Sequence, residues 1–171
     1  MVDASPWGFG GILVVNGVIR EFFAAEVSDD DVEILGVVRG SADSQQTCEA
    51  LSMLLYLKIW RSHWQQRRSV VAVRGDNITM LTMVLVYKGT SRSLNTIARE
   101  VALEVAASAF RPLVAEHIPG VANVTADALS RLAIPGGRYS LPACLSGVCQ
   151  AEVPVRPRAW YRALSSPAGP P

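Results

Sequence analysis

The sequence predicts an α/β domain with a mixed five-stranded sheet and helices on both faces, and three observations carry that prediction. Apolar, β-branched runs separated by turn signals open the chain, with Asn16-Gly17 as a clear two-residue hairpin signal. Apolar residues at helical spacing follow, first Cys48, Leu51, Leu55 and Ile59, then Leu94, Ile97, Ala98, Val101 and Val105. Between these two stripes lies 69–74, a short, continuously apolar strand of the kind buried on both faces of a helix-covered sheet.

The elements follow in order. Only Met1 and Val2 precede Asp3, so the first strand is short against the usual five or six residues and reads as truncated at its start. Trp7-Gly-Phe-Gly-Gly11 reads as a tight glycine turn into a second strand, and 18–27 makes the third, giving an antiparallel meander. The acidic run Ser28-Asp-Asp-Asp-Val-Glu33 and the stretch 36–44 read as a solvated connection. Asp43 with Gln46 three residues on resembles a helix-starting capping arrangement, and the helix runs to about His63 with Glu49 at the edge of its buried face. Gly75, Asp76 and Asn77 stand at the carboxyl end of the fourth strand. The stretch 78–87 is apolar nearly all round and reads as a buried helix; 88–93 breaks it, and an amphipathic helix follows to near Phe110. The last strand, 112–117, ends at His117, a Pro-Gly turn follows, and a final helix carries Asp127 in its first turn. There the positive end of the helix dipole favours an ionised acid. Residues 1–133 thus read as one domain, and 134–171, rich in Pro, Arg and Ala without an apolar period, as a partly disordered linker or tail.

Length and composition narrow the function classes. With 171 residues, 50% hydrophobic and 18% charged, the chain has enough apolar content for a sizeable core. A net charge of +1 gives no global attraction to nucleic acid, so a polyanionic partner has to be held by a local patch or through metal ions. No stretch has the 18 or so apolar residues of a membrane span and no signal peptide is evident, which points to an intracellular protein of the cytoplasm or nucleus without a membrane partner. Cys48, Cys144 and Cys149 lack zinc-ribbon spacing and read as structural or incidental.

Four acids fall at element ends: Asp3, Glu49, Asp76 and Asp127. If the first and fourth strands are neighbours, Asp3 and Asp76 lie one strand spacing apart, and two helices bring Glu49 and Asp127 over the same edge. Bare carboxylates in one site raise one another's pKa. Divalent cations remove that objection, and hard oxygen ligands suit Mg²⁺ or Mn²⁺.

Asp3-Ala-Ser5, Gln45-Gln-Thr-Cys-Glu49, Gly75-Asp-Asn77, and His117-Ile-Pro-Gly with Asn123-Val-Thr-Ala-Asp-Ala-Leu-Ser-Arg131 resemble the motifs of ribonuclease H domains. The last run is the specific one. It resembles the ribonuclease H attached to reverse transcriptases of long-terminal-repeat and tyrosine-recombinase retroelements. The resemblance covers roughly residues 2 to 132 and implies a ribonuclease H-like fold. It further implies two Mg²⁺ ions, with Mn²⁺ as a substitute, held by Asp3, Glu49, Asp76 and Asp127, and cleavage of the RNA strand of an RNA–DNA hybrid. His117 then matches a histidine thought to assist proton transfer or product release, and Ser5, Gln45, Gln46 and Asn77 match polar positions that approach sugar or bases. A reverse transcriptase polymerase domain is an implied partner.

Plainer readings stand beside each of these. A single acid at an element end is usually a cap or a solvated charge, and His117 reads equally as a strand-end histidine bonded to backbone. Trp60, His63 and Trp64 with Arg67-Arg68 read as a helix end covering the core rather than a grip on nucleic acid. For the whole chain, the alternatives are a catalytically inactive ribonuclease H-like module that binds nucleic acid or a polymerase partner, and another nuclease or transposase sharing the fold.

Overall fold

Asp3 sits on a strand of four residues, β1 (Val2–Ser5), at one edge of the first sheet. The computed structural model describes residues 1–65, 70–108 and 113–165. β1 pairs antiparallel with β2 (Gly8–Val15), which pairs antiparallel with β3 (Val18–Glu26). Asn16 and Gly17 both take positive φ at that hairpin, as the sequence signal required. α1 (Asp29–Leu35), α2 (Gln45–Ile59), β4 (Val71–Gly75), α3 (Ile78–Val86), α4 (Arg92–Ala106), β5 (Leu113–His117) and α5 (Val124–Ser130) follow. β4 and β5 pair in parallel, with Gly75 opposite His117.

Helices cover both faces of the meander. Val2, Ala4, Phe9 and Phe23 pack with Leu51, Leu54 and Leu55 of α2 and Ile97 and Val101 of α4. Ile12 and Phe22, of opposite parity along their strands, pack with Leu129 of α5. Trp60 and Trp64 are buried in the larger core, and Tyr56 stacks on Trp64, so this cluster covers the core as expected. His63 lies beside Glu21, while Arg67 and Arg68 fall outside the described residues.

The structure departs from the sequence expectations in five places. The expected five-stranded sheet is present as a four-stranded and a two-stranded sheet. β1 lies against β4, close enough that a Cβ added to Gly75 would stand 3.5 Å from the Val2 carbonyl, but no ladder joins them. The Val2, Asp3 and Ala4 carbonyls instead accept from the side chains of Asn123, Ser52 and Gln45.

The expected glycine turn is a strand: the chain turns at Pro6-Trp7, and Gly8, Gly10 and Gly11 belong to β2. Their lack of side chains serves helix approach, since a Cβ on Gly10 would lie 2.4 Å from the Ala126 carbonyl of α5. The acidic run after β3 is helical rather than a solvated connection. Ser28 and Asp31 form a capping box, and Asp31 is fully buried in a bidentate ion pair with Arg156. Ser41 accepts from the Asp43 amide in a short 3-10 turn, and α2 begins after it, at Gln45, ending before His63.

The fifth departure is the expected linker or tail. Leu145 joins the Ile12–Phe22–Leu129 cluster, β6 (Cys149–Gln150) pairs in parallel with Glu21 and Phe22, and Tyr161 is buried in the main core. Lys58 donates to the Trp160 carbonyl, and Arg162, on the short α6 (Arg162–Ser165), donates to Glu104. Single anchors spaced by prolines have no period, which is why hydrophobic patterning passes over them. Residues 166–171 lie outside the described residues.

Two substitutions test this architecture by urea unfolding. Gly10→Ala drives a methyl group into the α5 backbone and is expected to cost about 1–3 kcal/mol. Arg156→Ala leaves the Asp31 carboxylate buried without its partner and is expected to cost about 3–5 kcal/mol. An Arg156→Ala protein as stable as the wild type would show that the Asp31–Arg156 pair contributes nothing to holding this segment on the fold.

Candidate metal centre

Three carboxylates from different elements converge at the β1–β4 junction. One oxygen each from Asp3 on β1, Glu49 on α2 and Asp76 just beyond β4 lies within 4.8 Å of the other two. Backbone-directed bonds fix the approach: Ser52 and Gln45 tie α2 to the Asp3 and Ala4 carbonyls, and the Ile118 amide donates to the Gly75 carbonyl immediately before Asp76. Gly120, in the turn after β5, comes so near that an added Cβ would lie 3.1 Å from Oδ2 of Asp76. The glycine of the Pro-Gly turn therefore leaves room at this acid.

The hydrogen bonds at the centre are few. Asp3 accepts from the Ser130 hydroxyl at 2.7 Å and from the Asn123 amide at 3.4 Å. Oε1 of Glu49 accepts from Nε2 of Gln45 at 2.7 Å, while its buried Oε2 accepts from no described residue. Asp3 and Glu49 are 5% and 4% exposed, and none of the ion pairs among the described residues involves either of them or Asp76. Burial, reinforced by the Asp3 charge, raises Glu49 to about 9. Burial likewise raises Asp3 to about 6; the Ser130 bond opposes this, and the charges of Asp76 and Asp127 add to it. Such a cluster holds protons or a hard cation. An oxygen-only donor set with one buried carboxylate oxygen left open fits Mg²⁺ or Mn²⁺.

The other sequence-selected residues are distributed around this cluster. Asp127, in the first turn of α5, is close enough for its charge to reach Asp3, but it stands outside the triad and is paired with Arg131 at 2.6 Å. His117 is exposed at the end of β5, in register with the residue before Asp76, and its side chain bonds to no described residue. Gln46 is exposed on the first turn of α2 and faces a cavity of about 220 Å³ shared with Met80, Met83 and Leu94.

Three of the polar positions expected at the substrate have internal partners. Ser5 is buried; its hydroxyl donates to the Ser130 carbonyl and accepts from the Trp7 and Gly8 amides, so it locks the β1–β2 turn. Gln45 orients Glu49, and the Asn77 carbonyl oxygen caps α3 through the Met80 amide. Sequence reasoning assigned no role to Asn123 and Ser130, which hold Asp3. Their spacing around Asp127, four residues before and three after, places all three on one helix face and was the available signal.

In chelator the Glu49 shift has a definite sign. Its folded pKa lies above the unfolded value of 4.5, so the folded chain holds the extra proton between about 4.5 and 9, and stability falls as pH rises through that window. Glu49→Gln lacks this loss. The stability difference between the variant and the wild type, from urea melts at several pH values, is expected to grow with pH by up to ~1.4 kcal/mol per unit. A pH-independent difference would contradict the shift.

No family model and no curated protein matches the chain. Among solved structures, the crystal structure of RNase H1 from the halophilic archaeon Halobacterium salinarum NRC-1 is similar, with a TM-score of 0.58 and 17% identity over 76% of this chain and 86% of that one. At that identity the likeness lies in the fold, which is ribonuclease H-like.

Proposed function

We propose that the protein is a metal-dependent endoribonuclease of the ribonuclease H type, acting on the RNA strand of RNA–DNA hybrids and derived from a retroelement. The largely buried Asp3–Glu49–Asp76 cluster, with no ion pair among the described residues to balance it, carries this reading, and the fold shared with an RNase H1 supports it. The retroelement origin, and with it a polymerase domain as partner, rests on the run from Asn123 to Arg131.

Asp3, Glu49 and Asp76 would hold Mg²⁺ or Mn²⁺, with Asp127 as a fourth ligand. The chemistry that two bound ions supply is a water of lowered pKa and stabilisation of the leaving 3′ oxygen. The chain's own groups do the rest. Gln45 aims Glu49, Ser130 and Asn123 hold Asp3, and α2 and β4 set the spacing before any ion arrives. His117, exposed at the end of β5 and in register with the residue before Asp76, is our candidate for assisting proton transfer or product release. Gln46 and the amide nitrogen of Asn77 are the groups offered to a minor groove, where the 2′-OH marks RNA.

The pairing of Asp127 with Arg131 favours a second reading, an inactive ribonuclease H-like module that binds hybrids without cutting them. A cleavage assay separates the two. With Mg²⁺ or Mn²⁺ the protein is expected to cut the RNA of a labelled hybrid and spare duplex DNA, and Asp76→Asn to lower the rate at least ~10²-fold while leaving hybrid binding in place. Cutting that survives Asp76→Asn contradicts the proposal, and binding without cutting by the wild type supports the inactive module.

A further inference from the structure

One cation whose charge reaches the acidic cluster, and which none of the roles above uses, is the guanidinium of Arg131. It stands one turn beyond Asp127 on α5, and its Nε and Nη2 both meet the same oxygen, Oδ1, at 2.7 and 2.6 Å. The pair is little buried, with side chains 43% and 38% exposed, so water competes for both partners. Tyr139, in the segment after α5, adds to the stabilisation of the charged Arg131 guanidinium. Its charge also reaches Asp3, opposing the effect of Asp127 there. Arg131 thus supplies the local positive charge that the triad itself lacks, and supplies it to the one expected ligand that stands outside the triad.

The helix carrying this pair is fixed independently. α5 is pressed onto Gly10, and Asn123 and Ser130, on the same face, are bonded to β1. Release of Asp127 therefore needs a side-chain rotation and no movement of the helix.

We propose that Arg131 is a positioning residue that holds Asp127 away from the Asp3–Glu49–Asp76 cluster and yields it when a divalent cation binds, so that guanidinium and cation compete for one carboxylate. The proposal rests on the functional reading above and adds a control on ion affinity to it. An exposed ion pair is a weak competitor, which makes the exchange reversible at modest ion concentrations.

Mn²⁺ titration calorimetry of the full chain tests this without recourse to activity. Arg131→Ala is expected to tighten Mn²⁺ binding by roughly 1.5-fold to fivefold, the range an exposed pair of this kind carries. Arg131→Lys, which keeps the charge, is expected to return affinity toward that of the wild type. In an Asp127→Asn background Arg131→Ala is expected to change the affinity much less, because the contested carboxylate is gone and only the through-space effect of Arg131 on Asp3 remains. Circular dichroism confirms folding of each variant, with Arg131→Gln as a second neutral substitution. Unchanged affinity in Arg131→Ala and Arg131→Gln, or the same tightening with and without Asp127, overturns the exchange; if the wild type still binds Mn²⁺ and cuts hybrid, the functional reading stands. A wild type that binds no Mn²⁺ overturns both.

Discussion

Three carboxylates that approach within 4.8 Å in a largely buried site repel one another, and much of the surrounding structure holds them there against that repulsion. β1 is the pivot. Three of its four carbonyls accept from side chains of α2 and of the residue that opens α5, so both helices are keyed to the strand that carries Asp3. Gly10 and Gly120 complete the arrangement by absence of bulk: one lets α5 settle on β2, the other lets the turn after β5 pass beside Asp76. Burial, with the neighbouring charges adding to it, raises both Asp3 and Glu49, a cost that protonation relieves in the bare protein and a hard cation would relieve at higher pH.

The segment after α5 stabilises the same frame from outside. Arg156 neutralises Asp31 beneath the β3–α1 connection and donates to the Glu26 carbonyl, and its guanidinium lies over Phe9 at 5.6 Å. Lys58, Glu100, Glu104 and Arg162 join α2, α4 and α6. Removing one partner of such a pair leaves a buried carboxylate without its counter-charge. These pairs align α2, and with it Glu49, against the sheet.

Much of this was legible in the sequence because it depends on local rules. The Asn16-Gly17 turn, the apolar stripes of α2 and α4, and the placement of Asp76 after a strand follow from period and turn chemistry. Convergence of Asp3, Glu49 and Asp76 followed from strand adjacency, although β1 and β4 touch without pairing. What escaped depends on contacts distant in sequence. Gly8 and Gly10 read as a turn because glycine's use under a packed helix looks the same in one dimension as its use in a loop. Asp31 read as solvated because its partner lies 125 residues away. Ser5 and Gln45 read as substrate contacts, whereas the Ser5 hydroxyl and the Gln45 amide nitrogen are engaged inside the fold. Asp127 was placed correctly on its helix, but an i,i+4 arginine, visible in the sequence, holds its carboxylate out of the cluster.

The most direct measurement is an anomalous-scattering map from crystals soaked in Mn²⁺. Density for at least one ion is expected within about 2.0–2.4 Å of carboxylate oxygens of Asp3, Glu49 and Asp76. Saturating Mn²⁺ with no anomalous peak among these three side chains, or a peak only elsewhere on the surface, would contradict a metal centre at the β1–β4 junction.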